Sequence, residues 1–263
     1  MAKYYYLCKV SMEKALKELT RYKFNTISDV IFLYVVFMAM FLGIKSFGKS
    51  FGVSPIDMGD SLEGFIAGFF LWTIMMMTYS GVAYGLTNDA NRGTLEQLNM
   101  SGIRLSTIVT ARSLSDLFIN IIVSVVLLFI IMATTGYKLE IRMLPILFPV
   151  IVGMFSILGI GLIFGGLALI FKKIQTLLNI VQYFFIALIM INPGNKIIYN
   201  LLPFKTASDM VISSMRYGYS LTDFSIYYYV IMAGNSALYF GIGLFIFNRC
   251  VKLAKMKGLL GQY

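Results

Sequence analysis

Histidine is absent from all 263 residues, tryptophan occurs once, cysteine twice and proline five times. Without imidazole there is no histidine-based catalytic triad and no histidine metal site, which removes the commonest metal ligand and near-neutral proton shuttle. Two cysteines, Cys8 and Cys250, make no disulfide framework. Both are expected in cytoplasmic flanks, where they stay reduced. Charge is scarce as well. Asp, Glu, Lys and Arg make up 13% of the chain, against about 25% in soluble domains. The one GxxxxGK[ST] match, GIKSFGKS at 43–50, closes the first apolar run instead of following a strand and opening a helix, so no phosphate loop for a nucleotide is expected of this chain. Its glycine-rich stretch, GIGLIFGG at 159–166, sits in an apolar run with no lysine after it, and the Gly161-x-x-x-Gly165 spacing suits close helix packing in lipid instead.

What is present is hydrocarbon: 59% of residues are hydrophobic and the mean hydropathy is +0.80. Six continuous apolar runs stand out, at 28–44, 64–87, 106–135, 144–171, 174–192 and 224–248. Runs of about 20 residues read as spanning helices, whereas barrel strands alternate over about ten. The expected fold is an all-α, multi-pass integral membrane protein with six transmembrane helices in a single permease domain. The Lys-rich stretch before the first run shows no cleavable leader.

The net charge of +10 is gathered at the ends of the runs rather than spread over a nucleic-acid surface. With both termini placed inside the plasma membrane, fifteen of the 22 Lys and Arg fall in cytoplasmic pieces, as the positive-inside rule expects. Six of the 12 acidic residues, Asp57, Asp60, Glu63, Glu140, Asp209 and Asp223, fall outside. Within the cytoplasmic segment 1–26, Met12, Ala15, Leu16, Leu19 and Tyr22 share one helical face and Glu13, Lys14, Lys17, Glu18 and Arg21 the other. Such a basic amphipathic helix lies in the headgroup plane against anionic lipid. The outer segment 193–223 contains Pro193, Gly194 and Pro203, with Phe204, Ser208, Val211 and Met215 at helical spacing. A re-entrant or interfacial helix and a plain extracellular loop both fit it.

Polar residues within spans are costly unless paired or wetted. Three stripes recur at three- and four-residue spacing: Thr73, Ser80, Tyr84 and Thr87; Ser113, Asp116 and Asn120; and Gln175, Asn179 and Gln182. They suit a translocation path or subunit interface, or hydrogen bonding between helices. Arg112, one turn before Asp116, is expected to pair with it. With no second intramembrane acid near Asp116 in the sequence, a proton relay is not expected. Met75, Met76 and Met77 read as packing, and Tyr217, Tyr219 and Tyr227 to Tyr229 as an interfacial aromatic belt.

Between the second and third runs lies the polar insert 88–104, beginning NDANRGTLEQL. Asn88 or Asp89 suits a helix cap, and Leu95 and Leu98 share one side. The RGTLEQL at 92–98, followed by IVTARSL at 108–114 and a long span, resembles the type-2 permeases of ATP-binding-cassette exporters. So does the order of parts along nearly the whole chain. Two departures are Asn88-Asp89, where the family often has glutamate, and Ser101-Gly102, where proline is common.

The resemblance implies a coupling helix docked on a separate ATPase subunit, with Asp89, Arg92, Gly93, Thr94, Leu95, Glu96 and Leu98 as contact positions. It further implies a second permease, identical or paralogous, and ATP and Mg bound by the partner rather than by this chain. The cargo expected is amphipathic or lipid-like: a drug, an antimicrobial peptide or a lipid. A glycolipid or polysaccharide exporter of the same family, an ion-coupled secondary transporter and an intramembrane enzyme are the alternatives. No Cys/His/Asp constellation supports the last.

Overall fold

The computed structural model describes residues 2–50, 55–171, 174–190 and 194–257, without the side chains of 2, 47–50 and 55–61. Pro193, Lys172 and Lys173, the end of the fifth run at 191–192, and the side chains of Asp57 and Asp60 lie outside the described residues. Ten α-helices follow in order: α1 (Ala2–Arg21), α2 (Lys23–Ser50), α3 (Pro55–Asn91), α4 (Thr94–Met100), α5 (Leu105–Thr135), α6 (Met143–Phe171), α7 (Gln175–Met190), α8 (Lys196–Leu201), α9 (Lys205–Tyr217) and α10 (Ile226–Met256). No strand occurs among the described residues. Helices satisfy every backbone group internally, which lipid demands of a spanning segment.

Five of these helices, α2, α3, α5, α6 and α10, are long and apolar enough to cross a membrane. The fifth run of the sequence is instead the 16-residue α7, about 24 Å long at helical rise and short of the roughly 30 Å hydrocarbon core. Among the described residues five helices reach spanning length, and the expected count of six is not confirmed. Tyr79 on α3 donates its hydroxyl to the Leu178 carbonyl, and Trp72 donates Nε1–H to the Gln182 carbonyl at 2.9 Å. By Ile189, α7 has reached only the level of Gly68 on α3.

Beyond α7 the described chain continues in shorter helices. A turn at 202–204 after α8 rests on α10, where Asn235 Nδ2 donates to the carbonyls of Asn200 and Leu202 at 2.9 and 3.1 Å. That point lies roughly 13 Å along α10 from its first residue. From there α9 runs back to Gly218, whose neighbours are Glu140 and Arg142 in the α5–α6 connection. Lys205, 5% exposed, fastens the start of α9 by donating Nζ–H to the Ile189 carbonyl at 3.0 Å and to Asp209 at 2.9 Å. Phe204, Ser208, Val211 and Met215, aligned by their spacing in the sequence, are all buried here.

The core is organised around α6. Glycine costs about 1 kcal/mol against alanine in a helix interior, yet α6 keeps several because three neighbours press on it. A Cβ on Gly159 would lie 2.2 Å from the Tyr239 carbonyl oxygen, and one on Gly243 would lie 2.2 Å from the Gly159 carbonyl oxygen. Here α6 and α10 touch backbone to backbone. Gly161 and Gly165 face Tyr79, Val82 and Leu86 of α3, so their spacing does serve packing. Gly153 makes room for Phe204 and Ala207.

Helix α1 lies along α5 and buries Ser11 and Ala15, with Leu7, Met12 and Leu19 half-buried. Leu16 and Tyr22, on the expected apolar face, are 44% and 54% exposed, open to lipid and not to α5. Lys3 Nζ donates to the Gly102 carbonyl at 3.1 Å, and Ala254 near the end of α10 packs in the same apolar cluster as Leu95. Both described ends of the chain thus lie at the α4 end of the bundle.

Candidate functional site

The polar insert forms a wedge at the end of α3 and α5. Helix α3 continues through Asn88 and Asp89 to Asn91, so neither caps α4. The cap position is Gly93, at φ 69°, a left-handed conformation that glycine adopts without a Cβ penalty. The chain reverses there, with Gly93 N–H donating to the Ala90 carbonyl at 3.0 Å. Seven residues cannot hold a helix in water unaided; what holds this one is Leu95. It is 0% exposed, in a cluster with Leu86, Leu105, Val109, Val251 and Ala254. Leu98 packs partly against the same cluster. Arg92, Gly93, Glu96 and Gln97 remain on the outside.

Asp89 ties the wedge to α5. Its Oδ2 accepts from Arg112 Nη1 at 2.5 Å, the two side chains being 14% and 27% exposed. Thr94 Oγ1 donates to the Asp89 carbonyl at 3.1 Å and to Oδ1 at 3.3 Å. Arg112 therefore does not pair with Asp116 as the i,i+4 spacing suggested. Asp89 lies closer across the helix junction, and its second oxygen is already engaged by Thr94.

Freed of Arg112, Asp116 opens with Asn120 onto a cavity of about 550 Å³ roofed by α1. Glu18 of α1 and Asp29 of α2 line it too, and Asn25 Nδ2 donates to Asp29 at 3.1 Å. Asp116 is thus not a solitary acid, although no neighbour in sequence shows it. Asp29, a single carboxylate inside the first apolar run, is the one signal of this company that the sequence carries. A smaller cavity of about 140 Å³ joins Asp116 and Ser113 to Asp89, Arg92 and Arg112 beneath Lys14. Ser113 itself is buried and donates back to the Val109 carbonyl at 2.9 Å.

The other two stripes form a separate place. Thr73, Ser80 and Thr87 each donate to the carbonyl four residues earlier and so satisfy themselves within α3. Tyr84 and Gln175 meet by a side-chain hydrogen bond, joining α3 to α7. Asn179 is exposed, and Gln182 contributes its carbonyl to Trp72. The three stripes do not combine into one continuous lining.

Three or more His, Cys, Asp or Glu arranged to hold a metal ion do not occur among the described residues. Cys8 is exposed and Cys250 buried, both as free thiols.

The family model described as "ABC-2 family transporter protein" matches residues 53–245, which takes in α3 through most of α10. No curated protein matches the chain. With the match covering most of its length and five helices fit to span, the chain belongs to the ABC-2 transporter family and is a transmembrane permease of the ABC type.

Proposed function

We propose that this permease is the membrane subunit of an ATP-driven exporter whose motor is a separate ABC ATPase gripping α4. ATP and Mg belong to that subunit, and a second permease, identical or paralogous, completes the assembly in the plasma membrane. The cargo is amphipathic or lipid-like. The observation that carries this reading is the mounting of α4: polar residues outward, Leu95 inward against α10, and Asp89 locked to α5. A push on such a wedge reaches α3, α5 and α10 together, since packed interfaces move between discrete arrangements rather than yielding gradually.

Arg92, Glu96 and Gln97 are the exposed positions an ATPase groove would meet, whereas Leu95 anchors the wedge. Glu96→Lys is expected to reduce recovery of the ATPase with the tagged permease and to abolish substrate-stimulated ATP hydrolysis, while leaving the permease itself stable. Leu95→Asp is expected to do both of the former by unseating α4, with a lowered melting temperature. Undiminished recovery and transport in both variants would sink the docking assignment.

The carboxylates Glu18, Asp29 and Asp116 around one cavity favour a second reading, an ion-coupled transporter. It predicts transport by the purified permease driven by an ion gradient with no ATPase present.

A further inference from the structure

At the end of the bundle away from α4, a cavity of about 510 Å³ opens between α2, α3, α7 and α9. Its wall on α3 is an aromatic ladder, Phe65, Phe69 and Trp72, with ring centroids 6.2 and 5.2 Å apart along the series. Trp72 spends its one N–H on the Gln182 carbonyl, so the indole offers the cavity only hydrocarbon. Gly68 lies between Phe65 and Phe69 on the same helix, and Gly64 one turn before it. A Cβ at Gly68 would come 3.4 Å from Ile189 Cγ2 of α7, and one at Gly64 would come 3.6 Å from Arg216 Nη1 of α9. The two missing side chains are therefore what keeps the cavity open between α3 and its neighbours.

Among the described lining residues Arg216 is the one charged group. It sits at the outer end, beside Gly64, and its guanidinium also lies 4.9 Å from the centroid of the Tyr217 ring. From Trp72 to Gly64 the cavity runs roughly 12 Å along α3 at helical rise. It is apolar for that length and cationic at one end. A guanidinium has five N–H donors in a fixed fork, enough to serve a protein partner and an anion together.

We propose that this cavity binds an anionic single-chain amphiphile, with its hydrocarbon along Phe65, Phe69 and Trp72 and its phosphate or carboxylate on Arg216. The site narrows the cargo of the exporter reading, on which that part rests, to chain-bearing anions. Size supports it, since ligand pockets run about 300–1,000 Å³. The polarity gradient supports it further, because an apolar stretch ending at guanidinium N–H donors matches a hydrocarbon chain with an anionic head.

Trp72 is the only tryptophan of the chain, so its emission reports on this cavity alone. The purified full-length permease, in discs of zwitterionic lipid, is titrated with a bromine-tipped fatty acid, a heavy-atom quencher. Dodecyl phosphate, dodecanol and dodecyltrimethylammonium then compete for the site. The expected result is saturable quenching, displaced by dodecyl phosphate roughly tenfold or more better than by the neutral or cationic chain, as a charge-assisted contact implies.

Arg216→Gln should abolish that preference while retaining some quenching, and Gly68→Leu should abolish the quenching by filling the cavity. Equal competition by all three chains overturns the proposal, as does wild-type behaviour in both variants. Should Gly68→Leu fail to fold, Phe69→Ala, which enlarges the cavity, must still shift the Trp72 emission and weaken binding.

The cargo role is read in the complex with the ATPase, where dodecyl phosphate should stimulate ATP hydrolysis in the wild type and not in Arg216→Gln. An ATPase that travels with the permease but ignores the anion overturns the cargo assignment and leaves the exporter. A permease that binds the anion but recovers no ATPase overturns the exporter reading and leaves the site.

Discussion

At the scale of single residues, Asp89 and Arg112 show how a charge near a membrane chooses its partner. Spacing along α5 offered Asp116 to Arg112, but the end of α3 brings a second carboxylate to 2.5 Å. Removing either partner leaves the other charge poorly compensated. Asp89→Ala or Arg112→Ala should each cost about 1.5–3 kcal/mol, the range for hydrogen bonds to charged groups. The double variant should cost less than the sum, because the two share one interaction. Thermal unfolding of the four proteins gives the cycle, and Asp116→Asn should leave the coupling between Asp89 and Arg112 unchanged.

Tyr199 is a second case at this scale. It donates to Asp209 at 2.8 Å, and burial first, the Asp209 carboxylate next, push its phenol well above the ordinary 10.0. The folded state then holds this proton more tightly than the unfolded one. Its contribution is complete below the ordinary phenol value and is lost as pH rises above it. Between pH of about 9 and about 11, Tyr199→Phe should therefore lose less stability than the wild type. Identical pH slopes for the two proteins would remove Asp209 and burial as the cause.

At the scale of elements, α6 and α10 form the tightest joint, and its chemistry is the absence of side chains. Gly159→Ala or Gly243→Ala places a methyl where a carbonyl oxygen stands at 2.2 Å, so the helices must part. Overpacking of this kind costs about 1–3 kcal/mol. Gly241, on the same helix α10, has nothing within 4 Å of a built Cβ. There alanine should be neutral or stabilise by up to about 1 kcal/mol through helix propensity. Melting temperatures of the three variants decide it, and equal effects at Gly241 and Gly243 would show that the joint is not the cause. The α8–α9 turn depends on a similar recess. Phe204, at φ 64° and 3% exposed, holds a left-handed conformation costly for a side chain because its ring is seated over Gly153.

At the scale of the molecule, the bundle has its two described chain ends on the α4 side and the α9–α10 connection on the other. Five spanning helices alone would leave the termini on opposite sides. An even crossing would require α7 and α9 to share the sixth traverse. Sidedness can be read with thiols. Exposed Cys8 should react with an impermeant maleimide only in inside-out vesicles, and a cysteine replacing the exposed Tyr219 only in intact cells. Reaction of both from one face would be incompatible with this path of the chain.

The class of protein, its helical make-up, the place of the insert and the face of α9 were legible in the sequence, because each rests on local rules: run length, periodicity and motif spacing. So was the packing role of Gly161 and Gly165, since small residues at that interval act through one helix face. The fastening of α9 beside α7 was not legible, because hydropathy measures apolarity and not where Lys205 meets the Ile189 carbonyl. Nor was the company of Asp116, Glu18 and Asp29, which three separate helices bring to one cavity. Sequence alone determined that this chain lives in lipid and carries a polar wedge between its second and third apolar runs. Only the tertiary structure decided which charges meet and where space is left, because both depend on how α1, α6 and α9 pack across distances that no local pattern records.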